Sequence, residues 1–404
     1  MSSHANNPFS AVDASLGYLY QVRLSLLWAL RRIKFNPDFL ISLETLDDVT
    51  FETVGNVATD LLQTKHHLRS KPSVTDASPE LWKTLRVWFE GNANGTIPSS
   101  AFLHLVTTGA IPPQSAASFL SYAGRDITRA RQALDVTAQS STNVTNKAAY
   151  AAYLAASSAG RSRLLERVTI IDNAPTIVEL DADLKMEILW AAEREHLVAF
   201  LDRLEGWWMH RILAQLTSSP KDRVASAELE SAMASLREQF KQDSLPIDDD
   251  ILDFVLDDEA ETGYHSFTFV KQLRLADAGK RRVAIAIHNY YRAFEQRSRW
   301  LRDDLVGSFD VDKYEKRLVE EWEVVFAAMR DELGDGASEK VKQQAARSVL
   351  AWAECKSFPI RPNVTEPFIS RGSFHMLADK RRVGWHPEFN ERLSEILTQK
   401  AGIL

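Results

Sequence analysis

Residues 39–69 read FLISLETLDDVTFETVGNVATDLLQTKHHLR and divide into three short strands at 39–46, 48–53 and 60–67. Alternation with period two puts every other side chain on one face of a strand. Asp48 and Glu52 therefore share the polar face of the second strand, and Gln63 and Lys65 share one face of the third. The connector VGNVAT (54–59) holds a Gly and an Asn and predicts a hairpin. With residues 53 and 60 opposed, Asp48 faces Lys65 and Thr50 faces Gln63. A carboxylate and a lysine then share one pocket.

Such a pocket suits phosphodiester hydrolysis, in which a divalent cation activates water and offsets charge on the phosphorane. Mg²⁺ takes oxygen ligands and commonly only one or two carboxylates. Asp48 is the expected anchor, the Gln63 side-chain oxygen a second contact and the Thr64 carbonyl a third; Mn²⁺ is the alternative ion. Lys65 would hold or polarise the attacking water.

The arrangement resembles the PD-(D/E)XK nucleases, with Gln in place of the second acid. A bare Gln-x-Lys is frequent by chance; Asp47-Asp48-Val followed by LQTKHH (62–67) is far more specific. Together with GYLYQ (17–21) and LETLDDV (43–49), it resembles the endonuclease domain of nucleotide-activated (CBASS) antiphage effectors and of the nuclease subunits of Lamassu defence. A weaker likeness runs through 75–85 and 102–108. RGSFHMLAD (371–379) and VGWHPEFNERL (383–393) resemble the C-terminal domain shared by ABC three-component systems, the group that includes Lamassu.

The resemblance implies a double-stranded DNA endonuclease effector, held inactive with an SMC-like ABC ATPase and a small accessory subunit. Release and self-association into a homo-oligomer would activate it. The resemblance also implies that the first helix lends a polar residue to the metal site. Gln21 is the candidate, with Tyr20 beside it, against the plain reading that both satisfy hydrogen bonds beneath the helix. Glu44 and Glu52 are further candidates for metal or for shaping the field. Asp47-Asp48 also reads as a strand-entry turn, and Asp47 should point away from its neighbour. His66 and His67 face opposite sides of a strand and cannot chelate one ion together; one would pack or touch a phosphate. Two other classes compete: a non-catalytic DNA-holding scaffold subunit, and a nucleotide-activated nuclease of the CBASS kind. A stand-alone restriction enzyme would need a sequence-reading domain.

Composition sets the frame. With 404 residues, 45% hydrophobic and 25% charged, the chain is long enough for two domains. The single Cys355 excludes an intramolecular disulfide and suits a reducing cytosol. The polar start MSSHANNPFS and the absence of a long apolar run predict a cytoplasmic protein without a membrane span. Net charge is -7, but residues 1–180 carry 16 Lys and Arg against 15 Asp and Glu, so the acidity lies in the remainder.

The expected architecture is α+β: a PD-(D/E)XK-like α/β endonuclease domain over 1–180 and a mostly helical assembly region over 181–404. In the first part, 14–34 is an amphipathic helix, 80–90 a helix begun at Ser78-Pro79, 102–108 a fourth strand and 168–173 a last one. Thr107 and Thr108 could reach a phosphate. In the second, helices are expected at 183–216, 224–242, 279–304, 310–332 and 337–356. The acidic run 248–263 lacks the spacing and Gly of a calcium loop. Arg371, Phe374, His375, Trp385, His386 and Phe389 have the composition of a docking hot spot.

Overall fold

The computed structural model describes residues 11–67, 71–220, 222–334 and 336–401. It is mixed α and β, with one six-stranded sheet and a helical C-terminal part. The chain forms two compact units, the first of residues 1–193 and 200–235 and the second of 194–199 and 236–404.

The first unit is built on the sheet. Its strands are β1 (Leu40–Leu43), β2 (Val49–Glu52), β3 (Ala58–Lys65), β4 (Phe102–Thr107), β5 (Val168–Ile171) and β6 (Val224–Ala225), in the order β5-β4-β3-β2-β1-β6. The β6-β1-β2-β3 half is antiparallel; β3, β4 and β5 run parallel. Its helices are α1 (Ala11–Ile33), α2 (Pro79–Ala93), α3 (Ala116–Phe119), α4 (Ile127–Ser140), α5 (Lys147–Ala155), α6 (Ser158–Leu165), α7 (Leu180–Glu187), α8 (Leu197–Thr217, from residue 200) and α9 (Ser226–Gln239, to residue 235).

Two helical layers cover opposite sheet faces, which strand alternation assigns. On one, Arg32 of α1 bonds Asp60 at 2.5 Å, Trp28 packs on His104 and the Tyr20 ring stacks on His66 at 4.5 Å. On the other, Trp82, Leu85, Trp88 and Phe89 of α2 join Leu61, Leu103, Leu105 and Ile170 in one core with α4, α5 and α6.

The boundary expected at 180 falls inside this unit. Arg23 of α1 bonds Glu205, the Trp208 indole donates to the Val22 carbonyl, and Arg31 pairs with Asp183 and Glu187. β6, which the sequence reading did not anticipate, pairs Val224 with Ile41. The single helix expected over 183–216 is two, α7 and α8, and Trp190 between them is 88% exposed.

The hairpin register also differs from expectation. Val49 pairs with Leu62 and Thr50 with Leu61, a shift of two residues, and a bulge follows between Phe51 and Glu52. An even shift leaves each paired side chain on its face; Asp48 precedes β2 and lies outside this ladder. A bulge absorbs one extra residue in one strand.

The second unit is helical: α10 (Asp249–Leu252), α11 (Asp258–Tyr264), α12 (Thr268–Leu275), α13 (Lys280–Arg302), α14 (Ser308–Leu333), α15 (Glu339–Cys355), α16 (Pro367–Asp379) and α17 (Phe389–Ala401). Phe269, Ile287, Trp322, Leu350, Phe374 and Trp385 belong to one core. α16 approaches α13 so closely that a Cβ on Gly372 would lie 2.1 Å from the Asn289 carbonyl oxygen. Glu315, almost wholly buried, is held by Arg297 at 2.7 Å and Arg382 at 2.7 Å.

The docking surface expected at the tail is therefore corrected. Phe374, His375, Trp385 and His386 are at most 1% exposed and Phe389 is 6% exposed. Arg371 donates to the Glu354 carbonyl at 2.6 Å. These aromatic residues are spent on the core of their own unit, and residues buried this fully offer nothing to a partner.

Candidate active site

Asp47 and Asp48 sit at the start of β2, where the chain turns out of β1. The turn is closed by the Glu44 N–H, which donates to the Asp48 carbonyl at 3.2 Å. Glu44 takes a left-handed backbone (φ 52°), an uncommon conformation for a residue with a Cβ. Its own side chain is exposed on the side of Tyr18, whose hydroxyl pKa rises through burial and through the Glu44 charge.

Asp48 is fixed to β3. Its Oδ2 accepts the Thr64 N–H at 2.7 Å and the Thr64 hydroxyl at 2.9 Å. Thr64 was expected to contribute its carbonyl to a metal; its N–H and hydroxyl are what Asp48 meets. This pairing continues the β2–β3 ladder with a side chain and leaves Oδ1 without a hydrogen bond among the described residues.

Asp47 turns to α2. Its Oδ2 accepts the Trp88 indole N–H at 2.7 Å and its Oδ1 the Asp48 N–H at 3.0 Å. Burial raises its pKa to about 6 despite the indole bond, and the Asp48 charge adds to the rise.

Lys65 lies on the same side. Burial lowers its pKa, while Asp48, Glu80 and Asp47 pull it up and Lys83 opposes them. Although only partly accessible, Lys65 forms no hydrogen bond or salt bridge among the described residues. Lysines are rarely withdrawn from water without a partner. Gln63, two residues back, also has a side-chain amide without a hydrogen-bond partner among the described residues.

The other candidates are placed differently. Glu52 is 3% exposed and bound by Arg223 Nε at 2.6 Å, so its carboxylate is consumed structurally. Gln21 belongs to α1 on the opposite face from Lys65; its Oε1 is buried without a partner, as are the Tyr18 and Tyr20 hydroxyls. His66 stacks on Tyr20 and its Nε2 accepts the Ile177 N–H at 3.2 Å, which makes it structural. Thr107 and Thr108 are fully buried and bond their own backbone surroundings, so neither reaches a phosphate.

The structure thus ties Asp48 to Thr64 and sets the charges of Asp47 and Asp48 near Lys65, with Gln63 on the Lys65 face of β3. Trp88, Glu80 and Lys83 join from α2 and were not foreseen; the contacts span sequence separations that local patterns do not report. The Asp48 Oδ1 and the Gln63 amide oxygen are hard oxygen donors of the kind Mg²⁺ takes; the orphaned Gln21 Oε1 lies across the sheet from Gln63. Among the described residues, Asp47 and Asp48 belong to no cluster of three carboxylate or imidazole ligands. An Mg²⁺ that keeps most of its waters does not need one.

No curated protein matches the chain. A solved structure of the Moraxella osloensis Cap4 SAVED/CARF-domain containing receptor is similar at 14% identity and TM-score 0.35, over 65% of this chain and 61% of that one. The Acinetobacter baumannii receptor with the cyclic trinucleotide 3'3'3'-cAAA is similar at 14% identity and TM-score 0.34, over 65% and 58%. The chain spans about three fifths of the length of these receptors. No described helix is long and apolar enough to cross a membrane. Residues 269–393 match the family model of C-terminal domain 7 of the ABC-three component systems, so α12 to α16 and the start of α17 carry a domain of that multi-component group.

Proposed function

We propose that the chain is a metal-dependent endonuclease subunit of an ABC three-component antiphage system, acting on double-stranded DNA. The observation that carries this reading is Lys65, a largely buried ammonium without an ion pair, beside a carboxylate pinned to the neighbouring strand. Asp48 and Gln63 would hold Mg²⁺ or Mn²⁺. When bound, the ion supplies Lewis acidity and an activated water. The Thr64 bonds hold the Asp48 carboxylate in one orientation. Lys65 presents a positive charge where negative charge develops on the phosphate, and its burial strengthens that interaction relative to water. Asp47, anchored by Trp88, adds a carboxyl near neutrality.

The C-terminal match supports partner subunits; we assign an SMC-like ATPase and a small accessory subunit to that role, with homo-oligomerisation on activation. The test is incubation of the purified chain with supercoiled plasmid in Mg²⁺ and in EDTA. Cleavage by wild type that is lost in Lys65→Met and in EDTA is the expected result. Equal cleavage by Lys65→Met, or cleavage in EDTA, would refute the reading. DNA retention without cleavage would favour the scaffold alternative.

A further inference from the structure

Beyond the proposed centre lies a second polar pair. β3 runs out at Lys65, and His66 and His67 then diverge: His66 packs beneath α1, whereas His67 turns to α2. The backbone of His67 is locked by Thr108, whose hydroxyl oxygen accepts the His67 N–H at 2.8 Å and whose hydroxyl donates to the His67 carbonyl at 3.3 Å. Thr108 is fully buried, so this clamp is rigid. The ring lies against α2, its Nε2 2.8 Å from Glu80 Oε1 in the first turn but buried and outside hydrogen-bond geometry. Glu80 also acts on Lys65, as does exposed Lys83 one helical turn further along α2. About a quarter of the His67 side chain is open to solvent.

We infer that His67, set beside Glu80 and clamped through its backbone by Thr108, is a DNA-backbone contact that grips a phosphate adjoining the one at Lys65. The inference rests on the nuclease reading for its ligand, but its test does not rest on cleavage. Side chains that touch phosphates set register and affinity without reading sequence. His67 is accordingly a positioning residue, and its loss should act on binding more than on the chemical step.

The experiment measures binding of the full chain to a fluorescent DNA duplex by anisotropy, in EDTA, across a series of salt concentrations. His67→Ala is expected to weaken binding roughly five- to tenfold, as loss of one phosphate contact. His67→Arg places a permanent charge there and is expected to restore binding and steepen the dependence of log K on log salt by about 0.9 relative to His67→Ala. In Mg²⁺, His67→Ala should raise KM for plasmid with kcat nearly unchanged. Identical affinity and salt slope for the Ala and Arg variants would overturn the inference, even if wild type cuts DNA. A wild type that binds in this His67-dependent way but never cuts would overturn only the nuclease reading. A wild type that does not bind duplex overturns both.

Discussion

Substitution of Asp48 separates the two tasks its carboxylate performs. Asp48→Ala removes the acceptor for the Thr64 N–H at 2.7 Å and the Thr64 hydroxyl at 2.9 Å. Hydrogen bonds to charged groups contribute about 1.5–3 kcal/mol each, so two of them set a loss of about 3–6 kcal/mol. The carboxylate is itself partly desolvated in the fold and regains hydration on unfolding, which favours the lower end. In a domain of 150–250 residues 1 kcal/mol moves the Tm by about 2–4 °C. A 3 kcal/mol loss should therefore lower the melting point of the first unit by roughly 6–12 °C. Asp48→Asn keeps an acceptor oxygen without the charge, so each bond falls to the neutral value of about 1 kcal/mol and the melting point drops far less. Cleavage should nevertheless vanish in both, because neither presents an anionic ligand. Thermal melting by circular dichroism and plasmid relaxation in Mg²⁺ read the two effects separately. An Asp48→Ala protein that melts with wild type would contradict the strand-pinning geometry. An Asp48→Asn protein that cuts at the wild-type rate would remove Asp48 from the chemistry.

The remaining predictions concern both units. Lys65→Met should abolish cleavage without lowering stability, since it removes an unpaired buried charge; a marked fall in melting temperature would show that Lys65 has a structural partner. Arg223→Ala strands the Glu52 carboxylate, 3% exposed, and should cost about 3–5 kcal/mol in urea unfolding; no change would mean that β6 is not integral to the sheet. Burial, seconded by Arg282, lowers the His375 pKa to about 3, so the folded state refuses a proton that the unfolded chain accepts. Stability of the second unit is then complete above the unfolded value of about 6.5 and declines below it by up to about 1.4 kcal/mol per pH unit. His375→Leu should flatten that acid limb, and an unchanged limb would reassign it to other groups. Gly372→Ala forces a Cβ into the Asn289 carbonyl and should destabilise the second unit by about 1–3 kcal/mol; a neutral outcome would argue against the close α13–α16 crossing.

What the sequence disclosed follows from the range over which each interaction acts. Period-two alternation in 60–65 is local, so the shared face of Gln63 and Lys65 could be read directly and does not depend on the register with β2. The register itself depended on a bulge at Phe51/Glu52, which no pattern in VGNVAT announces. Glu52 looked like Asp48 by alternation, and only an arginine 171 positions later distinguishes them. The same limit hid Trp88, which reaches Asp47 across 41 residues, and Glu80, which reaches His67 from α2.

The tail shows the converse error. Aromatic and Arg residues are shared by interfaces and cores, so composition at 371–389 could not say which was present. Gly372 and Gly384 carried the missing signal, for both allow contacts that a Cβ would block: Asn289 against the first and Phe389 against the second. Glycines at such spacing between aromatic residues mark close packing within a unit. Docking by this segment, as the sequence led us to expect, would have to use surfaces outside its buried residues. Deleting 371–404 would remove Phe374, Trp385 and Leu393 from the core of the second unit. Loss of partner binding after that deletion would report unfolding rather than a severed contact, and only substitutions at exposed positions can map the partner surface.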